Sequence, residues 1–271
     1  MSEESEHRQV LRQVATAICT VSLVFASLSL ALEPLYDGFR SPVGLACDAQ
    51  GTMYITNWGG NTVERITRDG RRSVFIDDIA SPAGIAIDRD GSIYVSSYAG
   101  NYIMRYSPDG TSRRMADGLA TPAGISLAED GRLLVANRAA NEILAMDVKT
   151  GTCTVLADGF ATPVGVVEMA DGSIVVSQYG GRVTRVTSTG KRQELGQDFV
   201  RPGVGIVADG NDAVVVVDYG GGVVRRVFFD GQTSVVVRGV SGSPVALARD
   251  HLGALLVGTW EAGHVYRVPG Q

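Results

Sequence analysis

The sequence is poor in the residues that build disulfide frameworks, metal sites and nucleic-acid interfaces. Its 271 residues include three cysteines and three histidines, and no two cysteines have CxxC spacing. Three scattered cysteines are too few for a disulfide framework, and they leave the redox compartment open. Lys and Arg total 24 against 29 Asp and Glu, and no run of basic residues is longer than two. Without a basic stripe to bind phosphates, a nucleic-acid partner is disfavoured.

Proline is also scarce, at 9 residues, whereas glycine is abundant, at 34. The glycines follow no Gly-X-Y triplet, which excludes collagen and favours a fold with many tight turns. Hydrophobic residues make up 45% of the chain and charged residues 20%, enough to bury a core and to exclude a disordered chain. These observations favour an all-β fold.

Charges are missing from residues 14–32, VATAICTVSLVFASLSLAL, which follow two arginines and precede an acidic residue. A helix of this length comes close to the thickness of a hydrocarbon core, about 30 Å. Small residues at Ser29 and Ala31 equally suit cleavage as a secretory signal. Residues 1–31 are therefore predicted to form an apolar helix that is a signal peptide or a membrane anchor. Residues 32–271 are predicted to be extracytoplasmic, either periplasmic, secreted or membrane-anchored.

A repeat of about 40 residues accounts for nearly everything after residue 32. Four regular copies, of which SPAGIAIDRDGSIYVSSYAGN is typical, are followed by two more divergent ones. β-Branched runs separated by turns containing Gly and Asp predict four short antiparallel strands in each copy. Six such units predict a six-bladed β-propeller. The repeat prolines are Pro42, Pro82, Pro122, Pro163, Pro202 and Pro244.

The two chain ends predict how the propeller closes. LEPLYDGFRSP, residues 32–42, has the pattern of an inter-blade junction with no blade before it. HVYRVPGQ, at the C-terminus, matches the third strand of a blade with no fourth strand after it. The N-terminal strand is therefore expected to complete the last blade by pairing near Val265 to Val268. Radial repetition then leaves only short, protected edges.

The repeat resembles the NHL-repeat family, since Pro-x-Gly-[Ile/Leu]-Ala, Asp-x-x-Gly-x-[Ile/Met]-Tyr-Val and Asn-x-[Val/Ile]-x-Arg follow one another from Ser81 to Arg105. The resemblance extends over residues 33–271 and implies an NHL-type propeller. Propellers of this type serve as protein-binding, RNA-binding, sensor and enzymatic modules, so the resemblance does not by itself give a function. The motif arginine is interpreted as structural. It recurs as Arg65, Arg105, Arg185, Arg226 and Arg267, with Ala145 in the third copy.

Enzymes among related propellers need residues that this chain has little of. Amidating lyases hold zinc with histidines, but three convergent imidazoles cannot be assembled from His7, His251 and His264. Streptogramin-lyase-like propellers rely on a catalytic histidine beside a glutamate, a pattern that only His264 with Glu261 resembles. Gluconolactonase-like propellers place metal ligands at the x of Pro-x-Gly, where an apolar ring cannot bind a hard cation. Those positions are Val43, Ala83, Ala123, Val164 and Val245, with Gly203 and Val204 in the fifth copy.

One position at the end of the second strand is aromatic in five of the six copies. Loops after the second strand share a face with the Pro-x-Gly loops, so its side chains should surround the channel mouth. An annulus of aromatics suits recognition, because each ring can bury about 150–250 Å². Packing over the neighbouring Pro-x-Gly loop would give the same periodicity, and both interpretations stay open. The position is occupied by Trp58, Tyr98, Arg138, Tyr179, Tyr219 and Trp260. The polar residue before it is Asn57, Ser97, Asn137, Gln178, Asp218 or Thr259.

The sequence thus predicts a binding module with a ligand surface at the channel mouth. The six side chains of the ring, backed by Asn57, Asn137, Gln178 and Asp218, are expected to bind a protein, a peptide or a small organic ligand. No cofactor, metal ligand or catalytic residue is assigned. The alternative is a lactonase- or lyase-like enzyme at the same mouth, using Asp218, Glu261, Arg138 and channel waters. The N-terminal segment, if uncleaved, would add a membrane as a partner.

Overall fold

The computed structural model describes residues 32–196 and 198–268. They form six antiparallel blades, so the predicted all-β six-bladed propeller is confirmed. No helix in these two ranges has the length and apolarity needed to cross a membrane. The predicted apolar helix, with its role as signal peptide or anchor, falls on residues 1–31 and lies outside the described residues.

The strands are numbered in chain order, and within each blade they follow one another from the innermost to the outermost. Blade 1 contains β1 Pro42–Cys47, β2 Met53–Asn57, β3 Thr62–Ile66 and β4 Arg72–Ile76, and blade 2 contains β5 Pro82–Ile87, β6 Ile93–Ser97, β7 Tyr102–Tyr106 and β8 Ser112–Ala116. Blade 3 contains β9 Pro122–Leu127, β10 Leu133–Asn137, β11 Glu142–Met146 and β12 Cys153–Ala157, and blade 4 contains β13 Pro163–Glu168, β14 Ile174–Gln178, β15 Arg182–Val186 and β16 Arg192–Leu195. Blade 5 contains β17 Pro202–Asp209, β18 Ala213–Asp218, β19 Val223–Phe228 and β20 Thr233–Val237, and blade 6 contains β21 Pro244–Arg249, β22 Leu255–Thr259 and β23 Val265–Val268. Two short 3-10 helices, Trp58–Gly60 and Arg138–Ala140, follow β2 and β10.

The core consists of the apolar layers between adjacent blades. Every residue of β10 and of β18 is buried, because a second strand has a neighbouring strand on each side and a blade against each face. Ile143 of blade 3 and Val176 of blade 4 belong to one such layer. The first three residues of the outermost strand β4 are exposed. Short strands rich in β-branched residues suit this arrangement, since their side chains pack well on a pleated surface.

The glycine of Pro-x-Gly is required where neighbouring inner strands approach each other. A Cβ on Gly84 would lie 2.6 Å from the Ala123 carbonyl oxygen, and one on Gly124 would lie 2.6 Å from the Val164 carbonyl oxygen. The Ser96 hydroxyl donates to the same Ala123 oxygen at 2.6 Å and links blades 2 and 3. The inner strands β1 and β21 also contact each other, which closes the ring.

The N-terminal segment completes blade 6 at a single position. Tyr36 forms an antiparallel bridge with Val265, whose N–H donates to the Tyr36 oxygen at 2.8 Å. The Leu35 N–H donates to the Val265 oxygen at 2.8 Å. The predicted pairing is confirmed here, but it is one bridge and not a fourth strand. Pro34 has no N–H to donate, and Gly38 takes a φ of +73°, so the ladder does not continue on either side.

A cation–π contact holds this closing segment against blade 1. The Arg72 guanidinium lies 4.1 Å from the ring centre of the buried Phe39, and its Nη1 donates to the Asp37 carbonyl at 2.6 Å. The same Asp-Gly-Phe sequence precedes blade 4, where the Arg192 guanidinium lies 4.7 Å from the Phe160 ring centre. The closing junction therefore uses the contacts of an internal junction.

The recurring motif arginine has a structural position, at the end of each blade opposite the loops that follow the second strands. Arg105 pairs with Asp90 at 3.2 Å and donates to the Ser92 hydroxyl at 2.8 Å. Arg267 pairs with Asp250 at 2.6 Å. Arg185 and Arg226 likewise pair with carboxylates, and Arg65 donates to a serine hydroxyl. These contacts tie the third strand to neighbouring strands and turns of its own blade.

Candidate functional site

The six side chains that directly follow the second strands surround one cavity at the channel mouth, which we call the aromatic cup. Its wall is Trp58, Tyr98, Arg138, Tyr179, Tyr219 and Trp260, and its floor is Val43, Ala83, Ala123, Val164, Gly203, Val204 and Val245. The cavity volume is about 190 Å³. For comparison, an engineered apolar cavity of about 150 Å³ holds benzene. The cup therefore has room for one ring-sized apolar group.

A β-bulge at the x of Pro-x-Gly builds the floor. Pro42 pairs with Asn57 but Gly44 pairs with Thr56, so Val43 is an extra residue in β1. The same register shift occurs in β13 and β21. Bulges redirect a side chain out of the regular alternation of a strand. The repeated bulge thus brings one small or branched apolar side chain from each regular blade to the cup.

The aromatic members of the wall contact one another around the mouth. The Trp58 ring centre lies 5.3 Å from that of Trp260 and 6.2 Å from that of Tyr98. The ring centres of Tyr179 and Tyr219 are 6.3 Å apart. No member of the wall is fully buried, and Tyr179 is 36% exposed. Partial exposure is a property that a ligand surface requires.

Arg138 stands where the other five blades have an aromatic ring. Its guanidinium carbon lies 5.8 Å from the Tyr98 ring centre and 5.7 Å from that of Tyr179, so it bridges the two. Its Nη1 donates to the Tyr98 hydroxyl at 2.8 Å. Outside the cup, Arg201 stacks on Tyr179 with 4.9 Å between guanidinium carbon and ring centre. Two cations therefore flank Tyr179 at the outer edge of the cup, which we call the rim and which also includes Ser243 and Glu261.

Glu261 links blades 5 and 6 at the rim. It accepts hydrogen bonds from the Ser243 N–H at 2.7 Å and from the Tyr219 hydroxyl at 3.3 Å. Burial raises the pKa of Glu261, but these hydrogen bonds and that from the Ser243 hydroxyl outweigh it, so the pKa lies below its usual value. Burial, followed by the charge of Glu261, raises the pKa of Tyr219. An ionised carboxylate and a protonated phenol thus stand side by side.

The polar residues predicted to back the ring lie beneath the cup and are absent from its described lining. Buried amide and carboxylate groups must satisfy their hydrogen bonds inside the protein, which explains the difference from the expected ligand surface. Each accepts from a backbone N–H of the loop before its own blade, at 2.6 to 3.1 Å. They therefore position the loops that form the floor, and their contact with a ligand stays a prediction. The four are Asn57, Asn137, Gln178 and Asp218, all less than 5% exposed.

The sequence analysis missed a set of asparagines whose side chains form hydrogen bonds from one blade to the next. Each is the last residue of a Gly-Gly-Asn, Ala-Gly-Asn or Ala-Ala-Asn turn and has a positive φ. Its side-chain oxygen accepts from the N–H of the Ser or Thr before the next repeat proline, at 2.9 to 3.1 Å. The signal was the nearly constant spacing, 20 or 21 residues, between that asparagine and the next Ser/Thr-Pro. The hydrogen-bonded pairs are Asn61 with Ser81, Asn101 with Thr121 and Asn141 with Thr162.

The sequence of the propeller matches a known family. Residues 41–198 match the model of the virginiamycin B lyase family. The chain belongs to the virginiamycin B lyase family. Membership agrees with the propeller expected from the NHL resemblance, while the NHL-repeat name itself is not confirmed. The sequence matches no curated protein.

Solved propellers of the virginiamycin B lyase and gluconolactonase types share the fold. Virginiamycin B lyase from Staphylococcus aureus is 18% identical, with a TM-score of 0.66, over 88% of this chain and 87% of that one. A catalytically inactive histidine-to-alanine variant of that lyase, with quinupristin, is 17% identical, with a TM-score of 0.66, over 87% and 97%. A gluconolactonase from Xanthomonas campestris is 19% identical, with a TM-score of 0.77, over 89% and 92%. At these identities the similarity shows the fold and not the activity.

In this member of the virginiamycin B lyase family, the histidines and cysteines within residues 32–196 and 198–268 do not line the cup. His264 contacts the Tyr266 hydroxyl at 3.0 Å, and His251 lies in the turn between β21 and β22. Burial raises the pKa of the Cys47 and Cys153 thiols. Among the described residues, no group of three His, Cys, Asp or Glu side chains is placed to hold a metal ion. The apolar floor of the cup does not fit a hard cation either.

Proposed function

We propose that this member of the virginiamycin B lyase family binds a small organic molecule or a peptide through the aromatic cup. The observation that carries the proposal is a partly exposed wall of five aromatic side chains and Arg138 around a cavity of about 190 Å³. Aromatic walls bind apolar groups by burying a large area, while Tyr and Trp offer hydrogen bonds at their edges. A ring-sized apolar part of the ligand is expected to enter the cup.

The chemistry of the cup supports binding better than turnover. General acid–base catalysis needs a titratable group within about 3 Å of the reacting atom. The described lining contains three tyrosines and one arginine but no carboxylate, imidazole or thiol, the groups that serve most readily as a general base near neutral pH. Asp218, a candidate for the enzymatic alternative, is buried and accepts from Arg225 Nε at 3.1 Å and from the Arg201 N–H at 2.9 Å. Its charge is committed to holding the loop beneath the cup.

Intrinsic fluorescence tests this proposal, because both tryptophans of the chain, Trp58 and Trp260, belong to the cup. Titration with phenylacetamide, a neutral molecule with one ring, is expected to change the tryptophan emission saturably. Tyr98→Ala should weaken binding about fivefold, since an aromatic contact contributes about 1 kcal/mol. Tyr106→Ala, at the far end of β7, serves as the control. A titration without saturation, or equal affinity in both variants and the wild type, would contradict the proposal.

Family membership favours a second candidate, the opening of a cyclic ester by a lyase- or lactonase-like reaction at the same mouth. Glu261 stays ionised at the rim, and Arg138 stands three blades away across the cup. In this candidate, Glu261 is the base and Arg138 stabilises the negative charge that develops on the ester oxygen. The lowered pKa of Glu261 makes it a weak base, which is why this candidate comes second.

Mass spectrometry separates the two candidates. Purified protein is incubated with quinupristin and, separately, with a gluconolactone, and ring-opened product is measured against a protein-free blank. Binding without turnover gives no product above the blank in either mixture. Product formation that is lost in Glu261→Gln and kept in Glu168→Gln, an acidic control in β13, would establish the enzymatic candidate instead.

A further inference from the structure

We infer that the ligand of the aromatic cup is an amphiphilic anion, an aryl or alkyl carboxylate. Its apolar group would fill the cup while its carboxylate lies at the rim between Arg138 and Arg201. The inference rests on the proposed function, because it assumes that the cup binds a ligand, and it adds the charge of that ligand.

Two departures from the repeat place these arginines beside the same tyrosine. Position 138 is aromatic in the other five blades, and position 201 is Ser or Thr in the other five. The two guanidinium carbons lie 5.7 and 4.9 Å from the Tyr179 ring centre. Blade packing does not demand either arginine, since the remaining blades form the same junctions without them. Their convergence on Tyr179 indicates a common ligand.

Both guanidiniums have N–H donors that form no hydrogen bond with the described residues. A guanidinium has five N–H donors, and Arg138 uses one of them on the Tyr98 hydroxyl. Arg201 reaches the Tyr179 hydroxyl at 3.4 Å. In the part of the chain that the structure describes, neither arginine has a carboxylate within ion-pair distance. Arginine binds carboxylates with two parallel hydrogen bonds, so a ligand carboxylate suits these donors.

The carboxylate at the rim, Glu261, already accepts hydrogen bonds from within the protein. Glu261 accepts from the Ser243 N–H and from the Ser243 and Tyr219 hydroxyls. A cationic ligand would have to displace these contacts while also facing two guanidiniums, and like charges across an interface disfavour binding. The charge distribution of the rim therefore selects an anion over a cation.

The first test compares phenylacetate with phenylacetamide, which have nearly the same shape and differ in charge. Tryptophan emission of the full chain is the readout for both. Phenylacetate is expected to bind about tenfold more tightly at low ionic strength, because charge-assisted hydrogen bonds are about twice as strong as neutral ones. The advantage should shrink as salt is added, since exposed charges are screened.

The second test assigns the preference to the two arginines. Arg201→Gln, outside the cup, should weaken phenylacetate binding about fivefold and leave phenylacetamide binding within about twofold, whereas Arg138→Gln, in the cup wall, should weaken phenylacetate binding more than phenylacetamide binding. Arg89→Gln changes the net charge equally in the turn between β5 and β6, at the opposite end of blade 2, and should affect neither probe. If Arg138→Gln misfolds, Arg201→Gln still tests the inference, because Arg201 is exposed at the rim and its substitution should leave the fold intact.

The outcomes distinguish this inference from the function on which it rests. Equal affinity for both probes, or an unchanged preference in both arginine variants, overturns the inference and leaves the binding function in place. Failure of both probes to bind overturns both. Tighter binding of phenylacetate that survives in Arg89→Gln and is reduced in the two rim variants supports both.

Discussion

The two faces of the propeller share one sequence period but differ in how their polar groups are satisfied. On the face of the motif arginines, recurring cations meet recurring carboxylates, as in the Arg267–Asp250 pair at 2.6 Å. At the mouth, the recurring side chains are aromatic, and the one cation of the cup lining, Arg138, contacts rings and a hydroxyl among the described residues. Periodicity alone therefore does not distinguish a structural position from a binding position. The two kinds of position differ in whether their polar groups keep hydrogen-bonding capacity that the protein itself does not use.

A second difference lies between the lining of the mouth and the layer directly beneath it. Asp218 is fully buried, and its oxygens accept from Arg225 and from the N–H groups of Val200, Arg201 and Gly221. Its neighbour Tyr219 is partly exposed and makes one hydrogen bond at the rim, to Glu261. Adjacent residues thus differ in their surroundings: Asp218 holds a loop from within the fold, whereas Tyr219 is partly exposed at the surface for which we propose recognition.

The largest expected effect comes from Asp218→Ala. Removing a buried carboxylate leaves Arg225 without its partner and the Val200 and Arg201 N–H groups without an acceptor, whereas the Gly221 N–H keeps the Asp218 carbonyl. The expected loss is about 3 to 5 kcal/mol in the free energy of unfolding, measured by urea denaturation. Asp117→Ala, which removes an exposed ion pair with Arg114, should cost less than about 1 kcal/mol. Similar losses in the two variants would contradict the structural role of Asp218.

A smaller loss of stability is expected when a wall residue is truncated. Tyr98→Ala and Tyr219→Ala, three blades apart, should each cost less than about 1.5 kcal/mol, because the rings are partly exposed. Each should weaken phenylacetate binding. A fully buried aromatic would cost about 3 to 5 kcal/mol on truncation, so a loss of that size in both, with binding unchanged, would make the ring a seal between blades.

The opposite face should show a small loss of stability and no change in binding. Arg105→Gln removes a pair with Asp90 in which the two side chains are 28% and 55% exposed, and such pairs contribute about 0.5 to 1 kcal/mol. Phenylacetate titration of this variant should match the wild type. A weakened titration would mean that the two faces are coupled through blade 2.

The smallest effect is the pH dependence of that same pair. The Ser92 N–H, opposed by slight burial and aided by the Ser92 hydroxyl and Arg105, lowers the pKa of Asp90. A carboxylate with a lowered folded-state pKa stabilises the fold above its unfolded pKa, about 3.9, and loses that contribution as the pH falls through the folded-state value. The melting-temperature difference between wild type and Asp90→Asn should therefore be constant from pH 7 to about pH 5, begin to shrink near about pH 4 and vanish only below the lowered folded-state pKa. A difference that grows in acid would reverse the sign assigned here.

The sequence by itself determined the number of blades, the strand order and the period of the cup. Short alternating strands and glycine turns repeat every 40 or so residues, and both are local properties of the chain. It also placed the closing pair near Val265, because the unmatched ends of the chain had to complete one blade. The sequence pattern did not predict how many residues would pair. That number depends on the path that residues 32–42 take along blade 6, where Pro34 and Gly38 end the ladder on either side of Tyr36.

Only the tertiary structure decided what each recurring position does. Asn137 and Arg138 are neighbours in sequence and recur with the same period, yet one is buried beneath a loop and the other lines the cup. Asn137 ends β10 whereas Arg138 begins the 3-10 helix that follows it, and which of the two side chains is buried depends on the neighbouring blade. The approach of Arg201 to Tyr179 joins residues of two blades, and such contacts exist only after the ring has closed. Periodicity is written in the local sequence, whereas burial and hydrogen-bond satisfaction are properties of the assembled propeller.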